Sequence, residues 1–269
     1  MEKLLEKKTA IITGAANGVG QIISQKFSEE GANLILADMD ESNLKKEADL
    51  IRKSGSHVEI FCGDLRQNLT IKNLLALSTK TFKNIDILVN ASRQVTISHP
   101  LDSDNMFFEE LMSQNVGVNL KLSREVAKKM IAQNVSRPES GNTIGSIVNL
   151  SSIASHRTLP DTLAYSVSSA ALDQLTKSMA ISLAESKIRV NAVAIGSVMS
   201  SSLRAKLAKN KFVLEDLIAA TPLGRLGEAS EAAEAVLFLA SEKSSFITGT
   251  ILTVDGGRSL LDRMPAAAY

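Results

Sequence analysis

The amino-acid sequence predicts an α/β protein: one domain, residues 1–269, built on a doubly wound parallel sheet of about seven strands. Three observations predict it. Short apolar runs take turns with longer amphipathic stretches along the whole chain. A glycine-rich turn joins the first run to the first amphipathic stretch. No linker, internal repeat or low-complexity block divides the chain. Strands that alternate with helices imply a parallel sheet covered on both faces, wound by right-handed crossovers.

The elements follow in order. Thr9–Thr13 (TAIIT) is a buried-strand run. In Gly18–Glu30, Val19, Ile22, Ile23 and Phe27 recur at helical spacing. Asn33–Ala37 is the second strand, and Glu41–Ser54 a charged helix stopped by Gly55. His57–Phe61, Asp86–Asn90, Ser146–Leu150, Arg189–Ala194 and Thr250–Val254 supply five more strands. Helical stretches lie between them near 66–82, 104–133, 162–185 and 229–240. The most loop-like interior stretch is Asn134–Gly145, and the tail from Arg263 reads as a surface extension.

Composition excludes several classes of function. Lys and Arg number 30 against 29 Asp and Glu, a net charge of +1, which is not the basic excess of a nucleic-acid binder or a polybasic membrane anchor. No apolar run is long enough to span a bilayer, and MEKLLEKK lacks the apolar segment of a secretory signal. The single cysteine, Cys62, forms no internal disulfide, which suits a cytoplasmic location. His57, His99 and His156 show no metal-ligand spacing, so no metal is expected.

The turn Thr13-Gly14-Ala15-Ala16-Asn17-Gly18-Val19-Gly20 has the placement of a phosphate cradle. Gly14 permits a tight exit from the strand, Gly18 lets a diphosphate approach the backbone, and Gly20 allows close helix packing. The helix that opens at Asn17, Gly18 and Val19 then offers free amides and a positive dipole end. The same residues also suit a plain strand-to-helix turn. Asp38 follows the second strand, where a carboxylate accepts hydrogen bonds from ribose hydroxyls and repels a 2′-phosphate. Its neighbours Ala37 and Met39, and Ala15 and Ala16 in the turn, carry no charge to hold such a phosphate. NAD is therefore expected, and NADP less so, in a Rossmann-type site. The competing role for Asp38 is a cap on the next helix.

With these motifs, and with IVNLSS at 147–152, AYSVSSAALDQLTKSMA, IRVNAVAIG at 188–196, TPLGRLGEASEAAEAVLFLAS and ITGTILTVDGG, the chain resembles the short-chain dehydrogenase/reductase family over nearly its whole length. The subgroup it resembles is that of the 3-oxoacyl reductases. The resemblance implies an oxidoreductase acting on an alcohol/carbonyl pair of a small molecule, assembled as a homotetramer or dimer. It implies that Ser152 polarises the substrate oxygen and that Tyr165 is the acid/base. It also implies that Asn115, rather than Asn119, supports a proton-relay water. Asp64 and Leu65 would flank the adenine, and Asn90 would end the fourth strand beside the cofactor. Ser200 stands where the family often has a threonine touching the carboxamide, in a substrate lid near 197–225. These residue types fit the chemistry: a hydroxyl donor stabilises charge built on oxygen, and a phenol delivers or removes a proton.

Three positions depart from the family pattern. The lysine expected four residues after Tyr165, one helical turn on, is Ser169, which can bond a ribose but brings no charge. Lys177 stands 12 residues beyond Tyr165, too far along a helix to replace it. The family's NNAG reads Asn90-Ala91-Ser92-Arg93, so Arg93 replaces a glycine, and Pro-Gly reads Ile195-Gly196. Two readings of the first pair stand open. In one, Arg93 supplies the cation that Ser169 lacks; in the other, the site has decayed and Arg93 obstructs the nicotinamide. A catalytically weak dinucleotide-binding sensor, or a scaffolding subunit, is the alternative to an active enzyme. His156, in the loop joining Ser152 to Tyr165, is a candidate for substrate contact; His57 and His99 read as structural.

Overall fold

A computed structural model describes residues 3–101, 107–136, 142–196, 198–200, 203–204, 207 and 211–261. Seven parallel strands form the central sheet: β1 (Thr9–Thr13), β2 (Asn33–Asp38), β3 (Val58–Cys62), β4 (Ile87–Asn90), β5 (Gly145–Ser152), β6 (Ile188–Ile195) and β9 (Ile251–Val254). Their spatial order is β3-β2-β1-β4-β5-β6-β9. The helices are α1 (Gly18–Glu29), α2 (Glu41–Lys53), α3 (Asn68–Phe82), α4 (Phe107–Met112), α5 (Val118–Ser136), α6 (Leu163–Leu183), α7 (Lys211–Ala219) and α8 (Ala229–Ala240). Val198–Met199 (β7) and Gly227–Glu228 (β8) pair as a separate two-stranded ribbon.

The apolar runs form strands because both faces of the sheet are buried. Successive residues of β1 serve opposite layers: Ile12 packs with Ile23 and Phe27 of α1 and Val236 of α8, and Ile11 with Leu122 and Val126 of α5. In β2, Leu34 and Leu36 join the first layer and Ile35 the second. A one-residue slip in register would send each set to the wrong face.

The strand order reverses at β1. The chain steps outward from β1 to β2 and β3, then returns to lay β4 on the other side of β1. The connections after β1 and β4 therefore diverge and leave a crevice at the carboxyl ends of the strands, the place where ligands bind in open α/β sheets.

Several boundaries differ from the sequence expectation. The third, fourth and last sheet strands begin one residue later, at Val58, Ile87 and Ile251. The stretch expected as one helix over 104–133 is α4, a π-helical segment Ser113–Gly117, and α5 running on to Ser136. Periodicity does not register the one wider turn, which interrupts neither the amphipathic pattern nor the chain direction. Within the lid stretch 197–225, β7 and α7 are described; Ser197, 201–202, 205–206 and 208–210 lie outside the described residues, as do 137–141 and the tail from 262. Among the described residues, no helix is long and apolar enough to cross a membrane.

Candidate active site

The crevice is built from the glycine turn outward. Gly14 and Gly18 both take left-handed backbone angles (φ +66° and +61°), yet their surroundings differ. A Cβ on Gly14 would lie 2.8 Å from the Ala91 carbonyl and the Ser92 backbone, so the turns after β1 and β4 touch there. A Cβ on Gly18 would meet nothing within 4 Å. Gly20 is the packing glycine: a side chain there would collide with the Gly14 carbonyl. The same Cβ would also lie 3.3 Å from the Thr13 carbonyl at the end of β1, in keeping with the close packing of helix on sheet expected of Gly20.

The amino end of α1 has no side-chain cap from Asn17 and no acidic residue in its first turn. Two other helices are capped, α2 where Asp40 accepts from the Asn43 amide and α8 where Glu228 and Glu231 form a reciprocal box, whereas α3 and α6, like α1, have no side-chain cap. The open space at Gly18 and the uncapped amides fit an anionic group. Asp38 does not cap α2, since Asp40 does. Its carboxylate accepts from the Ala16 amide at 3.0 Å, and from Met39 and Asp40 at 2.7 and 3.1 Å, which fixes it beside the glycine turn. The donor set therefore fits a dinucleotide: amides for a diphosphate and a carboxylate for ribose hydroxyls.

Other residues assigned to the cofactor are placed less directly. The Arg66 guanidinium grips Asp64 through both its carboxylate oxygens (Nε at 2.9 and 3.0 Å), holding that carboxyl below the ordinary range. Leu65 is buried among Ile35, Ala37 and Ile71. Asn90 ends β4 as expected, and its buried amide donates to Ser123 Oγ (2.9 Å) and Asn149 Oδ1 (2.8 Å), tying β4 to α5 and β5. A side chain committed inside the sheet leaves Asn90 only its strand-end position beside the crevice.

β5 ends on Ser151 and Ser152, and α6 presents Tyr165 in its first turn. Ser152 Oγ accepts from the Ala154 amide at 3.2 Å and caps a short turn over Ile153–Ser155. Ala154 packs with Leu111, Ala164 and Tyr165, which brings the serine turn against the tyrosine. Tyr165 is 8% exposed, and its Oη accepts from Arg93 Nη1 at 2.9 Å. The same nitrogen donates to the Ser151 carbonyl at 3.1 Å. The Ser169 hydroxyl donates back to the Tyr165 carbonyl at 2.8 Å, and the residue is only 5% exposed. A serine in mid-helix readily makes this bond to the preceding turn.

Asn115 sits in the π-helical segment. Its Oδ1 accepts from the Gln94 amide (2.8 Å), and its Nδ2 donates to the Gln94 carbonyl (3.0 Å) and Ser168 Oγ (3.2 Å). Its own carbonyl accepts from Asn119 Nδ2 at 2.8 Å. The residue clasps the loop after β4 through both polar atoms of its side chain. Sequence reasoning missed Thr13, whose Oγ1 accepts from the Ala91 and Ser92 amides, each at 3.1 Å. A threonine at a strand end carries no signal for contacts 78 and 79 residues away. His156 is exposed and bonds Ser155 Oγ, and His57 is exposed at the opposite end of the sheet, just ahead of β3. His99 approaches Asp161 at 3.8 Å. Among the described residues, no group of three His, Cys, Asp or Glu is placed to hold a metal ion.

Comparison with known proteins places this arrangement. A family model described as enoyl-(acyl carrier protein) reductase matches residues 14–259. The chain is 35% identical over 262 residues to oxidoreductase UcpA of Salmonella typhimurium, covering 95% of this chain and 96% of that protein. An uncharacterized oxidoreductase of Thermotoga maritima is 32% identical over 253 residues, 93% and 96% of the two chains. A 7α-hydroxysteroid dehydrogenase solved with NADH and 7-oxo glycochenodeoxycholic acid superposes with a TM-score of 0.87 at 29% identity, over 95% and 96% of the chains. A short-chain dehydrogenase/reductase of Mycobacterium marinum gives 0.84 at 28%, over 96% and 97%. The chain belongs to the short-chain dehydrogenase/reductase family, whose fold implies a nicotinamide dinucleotide. Relatives described as oxidoreductases do not favour the sensor or scaffold alternative.

Proposed function

We propose that the protein is an NAD-dependent oxidoreductase that interconverts a small-molecule alcohol and its carbonyl. One observation carries the cofactor choice: the Asp38 carboxylate is fixed by three backbone amides beside the opening at Gly18. A carboxylate locked there accepts from ribose hydroxyls and repels a 2′-phosphate. Gly14, Asn17, Gly18, Val19 and Gly20 would shape the turn that receives the diphosphate. Asp64, Leu65 and the Asn90 strand end would border the adenosine half. When bound, the dinucleotide supplies or accepts the hydride.

Tyr165 Oη donates its proton to the substrate carbonyl oxygen, or takes one from the alcohol in the reverse direction. Ser152 Oγ accepts from the Ala154 amide, which leaves its own proton to stabilise charge on that oxygen. We place self-association as a dimer or tetramer in the same proposal, supported by the exposed Val167 and Ile181 on α6.

Fluorescence titration with NADH and NADPH tests the cofactor reading. The wild-type chain is expected to bind NADH more tightly, by roughly tenfold or more, the worth of one charge-assisted hydrogen bond. Asp38→Ser narrows the gap mainly by improving NADPH binding. Equal affinity for the two coenzymes in the wild type overturns the NAD assignment. Turnover screening over ketones, 3-oxoacyl thioesters and sugars then defines the substrate class.

A further inference from the structure

We propose that Arg93 supplies, from the loop after β4, the fixed positive charge beside the Tyr165 hydroxyl, and that Asn115 is the positioning residue that holds it there. The inference rests on the acid/base role proposed for Tyr165. One turn along α6 from Tyr165, on the same helical face, Ser169 is uncharged and turned back onto its own helix. The charge beside the phenol arrives instead from 72 residues earlier, through a 2.9 Å hydrogen bond from Arg93 Nη1. The Ser151 carbonyl accepts from the same nitrogen and fixes its direction. Among the described residues, Arg93 makes no ion pair, so no carboxylate neutralises it. An arginine stays protonated throughout the range in which an enzyme works.

A long side chain on a loop delivers a charge reproducibly only if the loop is held. Here it is held on both sides of Arg93. Thr13 Oγ1 accepts from the Ala91 and Ser92 amides, and Gln114 Nε2 donates to Ser92 Oγ at 3.1 Å. Asn115 then clasps both backbone groups of Gln94, the next residue. The asparagine lies 4% exposed, and its link to Ser168 ties the clasp to the helix that carries Tyr165. One buried amide thus sets the distance between the guanidinium and the phenol. When Tyr165 gives up its proton to the substrate oxygen, the phenolate left behind lies against the guanidinium.

Among the described residues, other charges near Tyr165 are few: Asp161, just ahead of α6, is exposed and lies 3.8 Å from His99. Glu109 and Glu110 come from α4, which packs on α6; Glu109 is exposed and Glu110 acts on Arg66. His156 is exposed beyond the serine turn and bonds Ser155. The β5 end contributes only serines, and α6 has no charged residue before Asp173.

The composition makes the test direct. The chain has two tyrosines, Tyr165 and Tyr269, and no tryptophan. In a Tyr269→Phe background, biosynthetic fluorotyrosine leaves one fluorine resonance, that of Tyr165, and fluorotyrosine ionises more readily than tyrosine. Its pH titration by NMR needs neither substrate nor coenzyme. Arg93→Met is expected to move the titration to higher pH, Arg93→Lys to keep it near the parent, and adding Ser169→Lys to Arg93→Met to move it back. Asn115→Ala moves it the same way as Arg93→Met, and the two combined move it no further than Arg93→Met alone, the signature of action through one group. A titration in Arg93→Met that coincides with the parent overturns the proposal, and independent effects of Asn115→Ala and Arg93→Met overturn the positioning role. Where turnover is measurable, Arg93→Met loses roughly ten- to a hundredfold in kcat/KM, the worth of a hydrogen bond to a charged group. Loss of NADH binding in the parent protein would sink the oxidoreductase reading without touching the titration result.

Discussion

Exchanging Gly18 and Gly20, two residues apart, for alanine separates binding from folding. Gly18 takes a left-handed backbone angle, φ +61°, with open space where a Cβ would stand. Alanine there meets no atom, so its cost is conformational, about 1–2 kcal/mol. For a chain of this size that lowers Tm by a few degrees. The added methyl, however, stands in the space open to the diphosphate, beside the uncapped amides of α1. Losing one or two amide–phosphate bonds weakens NADH binding by roughly ten- to a thousandfold. Gly20 gives the opposite pattern. It lies within α1, where alanine favours a helix over glycine by about 1 kcal/mol, yet its Cβ collides with the Gly14 carbonyl. Backbone cannot swing aside as a side-chain tip can, so overpacking costs about 1–3 kcal/mol or more and reverses the helix gain. Thermal melts by circular dichroism and NADH titration by fluorescence read both variants. If Gly18→Ala binds NADH as tightly as the parent, the diphosphate does not lie on α1. If Gly20→Ala is as stable as the parent, the contact between α1 and the glycine turn is not a constraint on this fold.

Two further outcomes follow from the same geometry. Thr13→Val keeps the shape of the side chain but removes the acceptor for two loop amides, and is expected to cost about 1–3 kcal/mol in urea denaturation, with an unchanged midpoint refuting the stitch. Asp255 gives a pH dependence. Burial pushes its carboxyl up, but the hydrogen bonds from Ser259 and the Gly257 amide outweigh that and leave it below the ordinary range. A depressed carboxyl stabilises the fold above the unfolded titration range, and this is lost as pH falls through the folded value. Asp255→Asn should therefore unfold more easily than the parent at neutral pH, with the two denaturation midpoints converging in acid; a constant gap across that range would contradict the linkage.

Patterns local in the chain were legible before any coordinates. The seven sheet strands, most helices and the glycine turn follow from apolar spacing and backbone preference, which act over a few residues. Asp38 was legible as a residue type at a strand end, and its competing role as a helix cap was not decidable there, because Asp40 lies two residues on and does that work. The π-helical segment was invisible, since one widened turn leaves the amphipathic pattern intact. The partners of Asn90 and Asn115, Asn149 and Gln94, were not legible, because they are set by how strands and loops pack.

The amino-acid sequence by itself determined the class of fold, the glycine-rich turn after β1, the acid at the end of β2 and the absence of a lysine four residues after Tyr165, all matters of residue type at short spacing. Only the tertiary structure decided what stands beside the phenol. Arg93 reaches Tyr165 because β4 and β5 are neighbours in the sheet and Asn115 holds the intervening loop against α6. Such contacts depend on strand order and loop closure, which no local pattern encodes, and the sequence therefore showed a missing charge and an extra arginine without showing that they meet.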